Sequence, residues 1–587
     1  MKYPSLLICS GLLLGLSACA PLEPYSSRSR ILVEVDDVST GGQQTLPAVA
    51  LDHGQPVVLH ATKSGRVVFR QGDRTKPLDE TARVKNGASY FQLKQPIAGN
   101  WQALWWSHQD GKNGYFTMSK DGGASFSPVS MVNSDHQILQ PITWTTADSG
   151  AVGIAYHDER LPTYQVFFNR STDSGRTWAK QDQRLDTPPP AGRSSFVSEP
   201  QMVQTKSAWV LVWVDTVAAA DGAFRVIARR SQDEGQTWSE PDTIYAGARH
   251  ISALTVRATQ SDVLVVADEL ESGIFALHSS DDGRTWAKSG VLDGTAHASN
   301  SGIATALAQD RLHITWMQDR QNQKTQILAA TLNIASSQWL APAKRLDTKS
   351  MDNTRSQTPA IAASLAGSVV AAWVDFRDIR PNIYLAYSWD QGLSWTTPQP
   401  LKSPGAQALG WPQLVADGET LAIAYEAYPT DRVMEGRFVV ETLPTNDADR
   451  AAAASRLASK TTESQRKARL EQRIKDLWAA RIAGDYAKAY DYFDFAYKAV
   501  TPKKHYVENA GVITYLAASL DTTAIEANEA KVNMKLRYEV KPTFIPGAPK
   551  PIEVLPVDVD LPNTWVWVAD DWYLVFQPSF DPPVLKY

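Results

Sequence analysis

Between residues 46 and 443 the chain is built from short apolar runs separated by polar turns, and the order of runs and turns repeats. Trp209-Val210-Leu211-Val212-Trp213 and Val369-Val370-Ala371-Ala372-Trp373 are continuous apolar stretches of strand length, the pattern of strands buried on both faces. Eight such units recur, each with a short apolar strand, a Gly/Asp/Ser turn, a second strand often ending in an aromatic, and a third strand. The second strands end near Leu59, Trp105, Tyr156, Trp213, Ala267, Trp316, Trp373 and Tyr425, at intervals of about 52 residues. Strand units of that period predict a mainly β fold, a β-propeller of eight blades, with six or seven as the alternatives. Ile31-Leu32-Val33-Glu34-Val35 belongs to no unit, and unit eight lacks an obvious fourth strand after Val439-Val440. The first strand is therefore expected to complete the last unit and hide its edge.

After Pro444 the period changes. Residues 444–468 read as a linker, and 469–587 as a small α+β module. Leu470, Ile474, Leu477 and Trp478 share one helical face with Arg481 at its edge. Lys531 to Val540 alternates strictly, and Thr564-Trp565-Val566-Trp567-Val568 turns at Asp570-Asp571 into Trp572-Tyr573-Leu574-Val575. This order, with Gly484-Asp485-Tyr486-Ala487-Lys488-Ala489-Tyr490 opening the second helix, resembles the cone-like nuclear transport factor two-like (SnoaL-like) fold. That fold can host a ligand, but no His/Asp dyad stands here at a telling spacing, so a packing or interaction role is expected. The basic run Arg466, Lys467, Arg469, Arg473 and Lys475 reads as a solvated helix face, with contact to anionic lipid as the alternative.

Composition narrows the function classes. With 58 basic and 63 acidic residues the net charge is −5, which offers no electrostatic footprint for nucleic acid. The two cysteines, Cys9 and Cys19, both fall in the first twenty residues, so a disulfide framework or cysteine-ligated zinc is excluded from the body, and no metal or cofactor is expected. Lys2, the apolar stretch Leu6 to Leu16 and Leu16-Ser17-Ala18-Cys19 form an export signal. The last four residues resemble the lipobox of bacterial lipoproteins. The resemblance implies a signal peptide over 1–18, lipidation of Cys19 and, with Ala20 rather than Asp following, an outer-membrane anchor on the periplasmic or surface face; 19–45 then hold the tether and the closing strand.

A sharper repeat joins the third and fourth strands. It reads Ser119-Lys120-Asp121-Gly122-Gly123-Ala124-Ser125-Phe126, then Ser171-Thr172-Asp173-Ser174-Gly175-Arg176-Thr177-Trp178, and returns at Ser231–Trp238, Ser279–Trp286 and Ser388–Trp395, with a worn version ending at Trp339. The carboxylate can accept backbone N–H bonds, Gly supplies a positive φ, and the aromatic fills apolar space. These segments resemble Asp boxes (BNR repeats), the S-x-D-x-G-x-T-W motifs of sialidases and related propellers, where they are structural.

In a four-strand meander the box turns share one rim, and residues just after the second strand lie on the other. There the sequence places Asp158-Glu159-Arg160, Asp215, Asp268-Glu269, Asp319-Arg320, Asp375-Phe376-Arg377-Asp378, Arg380 and Glu426. In the sialidase resemblance Arg160, Arg320, Arg377 and Arg380 would clamp a carboxylate, Asp158 or Asp375 would be the acid, and Tyr425 beside Glu426 the nucleophile and its partner. Against this, the family's Arg-Ile-Pro motif is missing, and Asp-x-Arg recurs with the repeat as a loop-stabilising ion pair would. The sequence therefore points first to a non-catalytic envelope propeller that binds a protein or glycan partner or scaffolds a complex, and second to an exo-acting sialidase-type glycosidase.

Overall fold

The computed structural model describes residues 31–575, less 40–44, 79–87, 108–111, 135–137, 159–163, 189–196, 217–223, 321–323, 348–354, 430–435, 444–462, 494–497, 499–502, 511–512, 527–528, 544–551, 569–570 and the single positions 366, 379, 402, 404, 405 and 407. The signal segment and Cys19 lie outside the described residues.

Among the described residues, Ile31–Leu443 form eight antiparallel sheets, each but the last a meander of four consecutive strands, with a short fifth strand, Lys344–Arg345, added beside the third strand of sheet six. Sheet one is Ala48–Asp52, Gln55–Ala61, Val67–Gln71 and Arg74–Pro77, and the sheets follow in chain order to sheet seven, Ser356–Ala363, Val369–Asp378, Arg380–Ser388 and Gln399–Pro400. Sheet eight takes three strands from its own unit, Ala408–Asp417, Thr420–Tyr428 and Arg437–Leu443, and its fourth from Ile31–Val35. That strand pairs antiparallel with the third, Val33 opposite Val440 and Val35 opposite Phe438, as the orphan apolar run predicted.

The core lies between sheets. Residues of one sheet pack on those of the next in a series of apolar slabs: Val57, Phe69, Trp101 and Trp105 join sheets one and two, and Val374, Leu385, Leu421 and Tyr425 join seven and eight. One slab spans the first and last sheets, made by Val33, Val35, Leu51, Val58, Ala424 and Val440. Burying each of the two valines of the N-terminal strand stabilises this junction by about 2 kcal/mol. Strands sandwiched in this way are apolar on both faces, which is why Trp209–Asp215 and Val263–Glu269 show no alternation.

The first strands of neighbouring sheets lie side by side, and in sheets two to eight each carries a register shift against its second strand, for example between Ser89 and Gln92 and between Gly410 and Gln413. The bulge frees side chains to bond sideways. Gln92 Nε2 donates to the Ile142 carbonyl (2.7 Å), Gln201 Nε2 to Leu254 (2.7 Å) and Gln413 Nε2 to Pro47 (2.8 Å), the last linking sheet eight to the approach of sheet one.

The box turns explain the other inter-sheet contact. In the third sheet Ser171 Oγ donates to Asp173 Oδ1 (2.8 Å) and accepts the Gly175 N–H (2.8 Å), while Asp173 Oδ1 also accepts the Thr177 N–H (2.8 Å). The same pattern holds in the other four boxes. Bonds from the Ser125 hydroxyl and amide and from Ser119 hold the Asp121 carboxyl down at about 2. Gly175 has φ +77°, and a Cβ there would run into the Phe116 ring of the preceding sheet. Trp178 packs edge-on against that ring (5.7 Å) and donates Nε1 to Ser130 of the same preceding sheet (2.9 Å). Each box thus closes its own hairpin and seats it on a neighbour.

C-terminal to these sheets lie helices α1 (Glu463–Ile482), α2 (Tyr486–Tyr490) and α3 (Lys503–Asn509), then a four-stranded antiparallel sheet, Ile513–Glu526, Glu529–Thr543, Ile552–Val568 and Asp571–Val575. Helix α1 starts inside the segment read as linker. Leu470, Ile474, Leu477 and Trp478 are buried against Val532, Met534, Trp565 and Trp572, as the helical and alternating patterns predicted. The basic run is a solvated face in part: Lys467, Arg469 and Lys475 are exposed, but the three arginines also tie helix to sheet. Arg469 binds Asp571 through two 2.8 Å bonds, Arg473 Nε donates to the Trp572 carbonyl (2.9 Å), and Arg466 lies 4.9 Å over the Trp567 ring.

Candidate functional site

The rim opposite the boxes is built where second strands end, and the strand termini hold its side chains in two distinct settings. Asp375, three residues from the end of Val369–Asp378, is 0% exposed. Its Oδ2 accepts Trp373 Nε1 (2.9 Å), Arg377 Nη2 (2.6 Å) and the Ser356 hydroxyl (3.3 Å), and its Oδ1 accepts the Arg377 N–H (2.9 Å). Both carboxylate oxygens are thus engaged as acceptors by residues of the seventh sheet itself. Arg377 also lies 4.0 Å over the Tyr384 ring, held between carboxylate and aromatic.

Arg380 is 1% exposed, and its guanidinium lies 4.4 Å over Tyr573 of the C-terminal sheet. The strands Val369–Asp378 and Ile552–Val568 are in contact, so the C-terminal module rests on the seventh sheet where a carboxylate clamp was expected. Arg160 lies outside the described residues. Arg320 pairs through its backbone with Lys324, and its side chain is outside the described residues. Asp158 is buried at the end of Val152–Asp158, opposite Gln165.

Tyr425 and Glu426 do not form the expected couple. They are consecutive residues of one strand and point to opposite faces. Burial, with the Glu441 carboxylate next in effect, pushes the Tyr425 hydroxyl up, away from the phenolate a nucleophile needs. Glu426 instead accepts a hydrogen bond from Tyr428, two residues on and on the same face. Burial raises the Glu426 carboxyl, and burial together with Glu426 raises the Tyr428 hydroxyl.

A second pair of this kind was missed. Tyr245 in the fourth sheet donates to Glu269 (2.8 Å), which also accepts the Arg249 N–H (3.1 Å). Beside it Asp268 accepts from Ser252 and from Asn300 Nδ2 (2.8 Å), and Asn300 Oδ1 takes Trp316 Nε1 (3.1 Å) and Gln318 Nε2 (3.0 Å). Burial raises the Asp268 carboxyl against those bonds. Two Arg-Leu-Asp repeats were missed as well: Arg184 holds Asp186 (2.6 Å), Arg345 holds Asp347 (2.9 Å), and each Asp caps a backbone N–H of its own sheet, Val166 and Ile327. The signal was present as the recurring Arg-Leu-Asp triplet after the third strands. Among the described residues no group of three His, Cys, Asp or Glu side chains could hold a metal ion, and no helix is long and apolar enough to cross a membrane.

Residues 163–423 match the family described as a BNR repeat-like domain. The chain carries BNR repeats. Among solved structures, it resembles the Penicillium chrysogenum alpha-L-arabinanase complexed with arabinobiose (13% identity, 54% of this chain and 96% of that one, TM-score 0.32). It also resembles a PL25 ulvan lyase (10%, 59% and 93%, TM-score 0.39) and the NanB sialidase from Streptococcus pneumoniae (10%, 72% and 93%, TM-score 0.31). No curated protein matches the sequence.

Proposed function

We propose that the chain is an outer-membrane lipoprotein whose eight-bladed, BNR-repeat propeller binds a protein or glycan partner, or scaffolds an envelope complex, without catalysis. The observation that carries the non-catalytic part is the engagement of the rim charges. Asp375 is saturated by Trp373, Ser356 and Arg377, and Arg380 is covered by Tyr573. Eight blades are supported by the strand Ile31–Val35 in the last sheet and by the apolar slab between that sheet and the first. The C-terminal helices and sheet are read as the nuclear transport factor two-like module, placed as a cap on the seventh blade. The Leu16-Ser17-Ala18-Cys19 motif supports the anchor.

Two experiments test this. Purified protein is expected to release no fluorophore from a fluorogenic sialoside while binding its partner in glycan-array or pull-down assays; turnover abolished by Arg377→Ala would promote the glycosidase reading. Cys19→Ala is expected to leave the detergent phase that retains the wild type, and equal partitioning would remove the anchor. The exo-acting glycosidase reading keeps one observation in its favour, the Tyr428–Glu426 couple at a strand end of the eighth sheet. It predicts turnover that Tyr428→Phe abolishes.

A further inference from the structure

On the box rim, neighbouring sheets are fastened by side chains from three places: the turn between first and second strands, the residue just before the box serine, and the box turn of the next sheet. Between sheets three and four, Ser149 Oγ donates to Glu234 Oε2 (2.8 Å), and Arg170 lies 3.7 Å from the same carboxylate. Between sheets four and five, Ser207 Oγ donates to Asp282 Oδ2 (2.5 Å). Glu234 and Asp282 have φ +56° and +60°, the conformation of that turn position. Both seams hold a carboxylate by hydroxyl or guanidinium donors, a fastening without reactive chemistry.

The seam between sheets five and six carries different chemistry at the corresponding places. Asp262 comes from the turn, His278 stands just before the box serine Ser279, and Ser337, at φ +53°, lies in the turn of the worn box. His278 Nε2 is 2.8 Å from Asp262 Oδ1, and its Nδ1 is 2.7 Å from Ser337 Oγ. A carboxylate only accepts, so Nε2 carries the ring proton and, in the neutral ring, Nδ1 offers its lone pair to the serine hydroxyl. Thr259 Oγ1 donates to the other Asp262 oxygen (2.7 Å) and fixes the carboxylate. His278 is 9% exposed, whereas Ser337 is half-buried between the exposed Ser336 and Gln338, within reach of a molecule approaching the rim.

We propose that Ser337 is a nucleophilic serine that takes a short acyl group from an activated ester, with His278 as its base and Asp262 positioning the ring. Where the other two seams set a carboxylate against donors, this one sets a base against a hydroxyl, the pairing that activates a weak nucleophile. In the step, a bond forms between Ser337 Oγ and the carbonyl carbon, and the bond from that carbon to the alcohol oxygen breaks. The hydroxyl proton passes to His278 Nδ1 and from there to the departing oxygen. The site is on the rim opposite Asp375 and Arg377 and needs no turnover, so it goes beyond the binding role proposed above and does not rest on it.

Incubating the whole protein with p-nitrophenyl acetate, followed by peptide mapping and mass spectrometry, tests the proposal. An acetyl group should appear on Ser337 in the folded protein and not in protein unfolded in urea, where the serine has no base beside it. Ser337→Ala should lose this label, and Ser336→Ala, one residue away, should keep it. His278→Gln can still hydrogen-bond to both neighbours but cannot take the proton. It should therefore acylate at least about a hundredfold more slowly while melting close to the wild type. Asp262→Asn should slow acylation by roughly tenfold or more, through the orientation of the ring. No acetyl group on Ser337, equal labelling in urea, or rates unchanged in both His278→Gln and Asp262→Asn would overturn it and leave the three residues as a fastening like those of the other seams.

Discussion

On the box rim Asp173 is bound by Ser171 and Thr177 of its own eight-residue turn, whereas on the opposite rim Asp375 is bound by Trp373 and Arg377 of one strand and Ser356 of another. Both rims therefore use aspartate as a hydrogen-bond acceptor that fixes backbone. They differ in what the bonds close. The box is a local device, repeated because every hairpin needs the same turn, and its glycine and aromatic also seat the hairpin on the preceding sheet. The opposite rim is assembled from residues distant in sequence and varies from sheet to sheet: an ion pair at Asp375, a Tyr–Glu couple at Glu269 and Glu426, a buried amide network at Asp268. Repetition marks structure here, and variation marks where a partner-specific surface can be made.

Several experiments break or sharpen that contrast. The largest effect should come from neither rim but from the ring both depend on: deleting Ile31–Val35 should cost at least about 4 kcal/mol in urea unfolding, the burial of Val33 and Val35 alone, and expose an edge strand to aggregation. An unchanged midpoint would remove this strand from the ring.

Next is a pH effect beneath the box of the seventh sheet. Burial, then the charge of Arg311, lowers His313 to about 4, and this side chain packs under Gly392. An unfolded histidine takes its proton near pH 6.5, so the folded protein holds its full advantage above that pH. It loses up to about 3 kcal/mol as pH falls to 4. His313→Gln should flatten the stability curve across that window, and an unaltered curve would show that the histidine is protonated in place.

Gly175→Ala should cost about 2 kcal/mol, through its positive φ and the Phe116 ring, with the opposite rim's binding unaffected. Smallest is Ser171→Ala, about 1 kcal/mol for the lost bonds to Asp173 and the Gly175 N–H. If box substitutions changed partner binding as strongly as stability, the division between the rims would fail.

The same contrast explains what was legible in the sequence. Strand order, the closing strand and the box turns were readable because each rests on local chemistry or on a period: Val33 and Val35 are apolar at alternate positions, and Gly175 and Trp178 stand at fixed offsets from Asp173. The rim was legible as a set of charges but not as a set of pairs. Pairing Tyr425 with Glu426 followed adjacency in sequence, while a strand joins i to i+2, which makes Tyr428 the partner. That Arg380 lies under Tyr573 could not be read at all, since the two residues belong to modules with different patterns. The ties made by the arginines of the basic helix were missed for a related reason: their partners, Asp571 and Trp572, lie a hundred residues away on the last hairpin.

The central claim is that the Asp375–Arg377 pair is structural. A double-mutant cycle in urea unfolding, with Asp375→Asn, Arg377→Met and the two combined, measures it most directly. Breaking a buried pair from one side should cost about 3 kcal/mol in each single variant, and the double variant should recover about 2 kcal/mol or more of the sum. Single variants as stable as the wild type, with no coupling between them, would contradict the account and return both residues to the pool of groups available for a substrate.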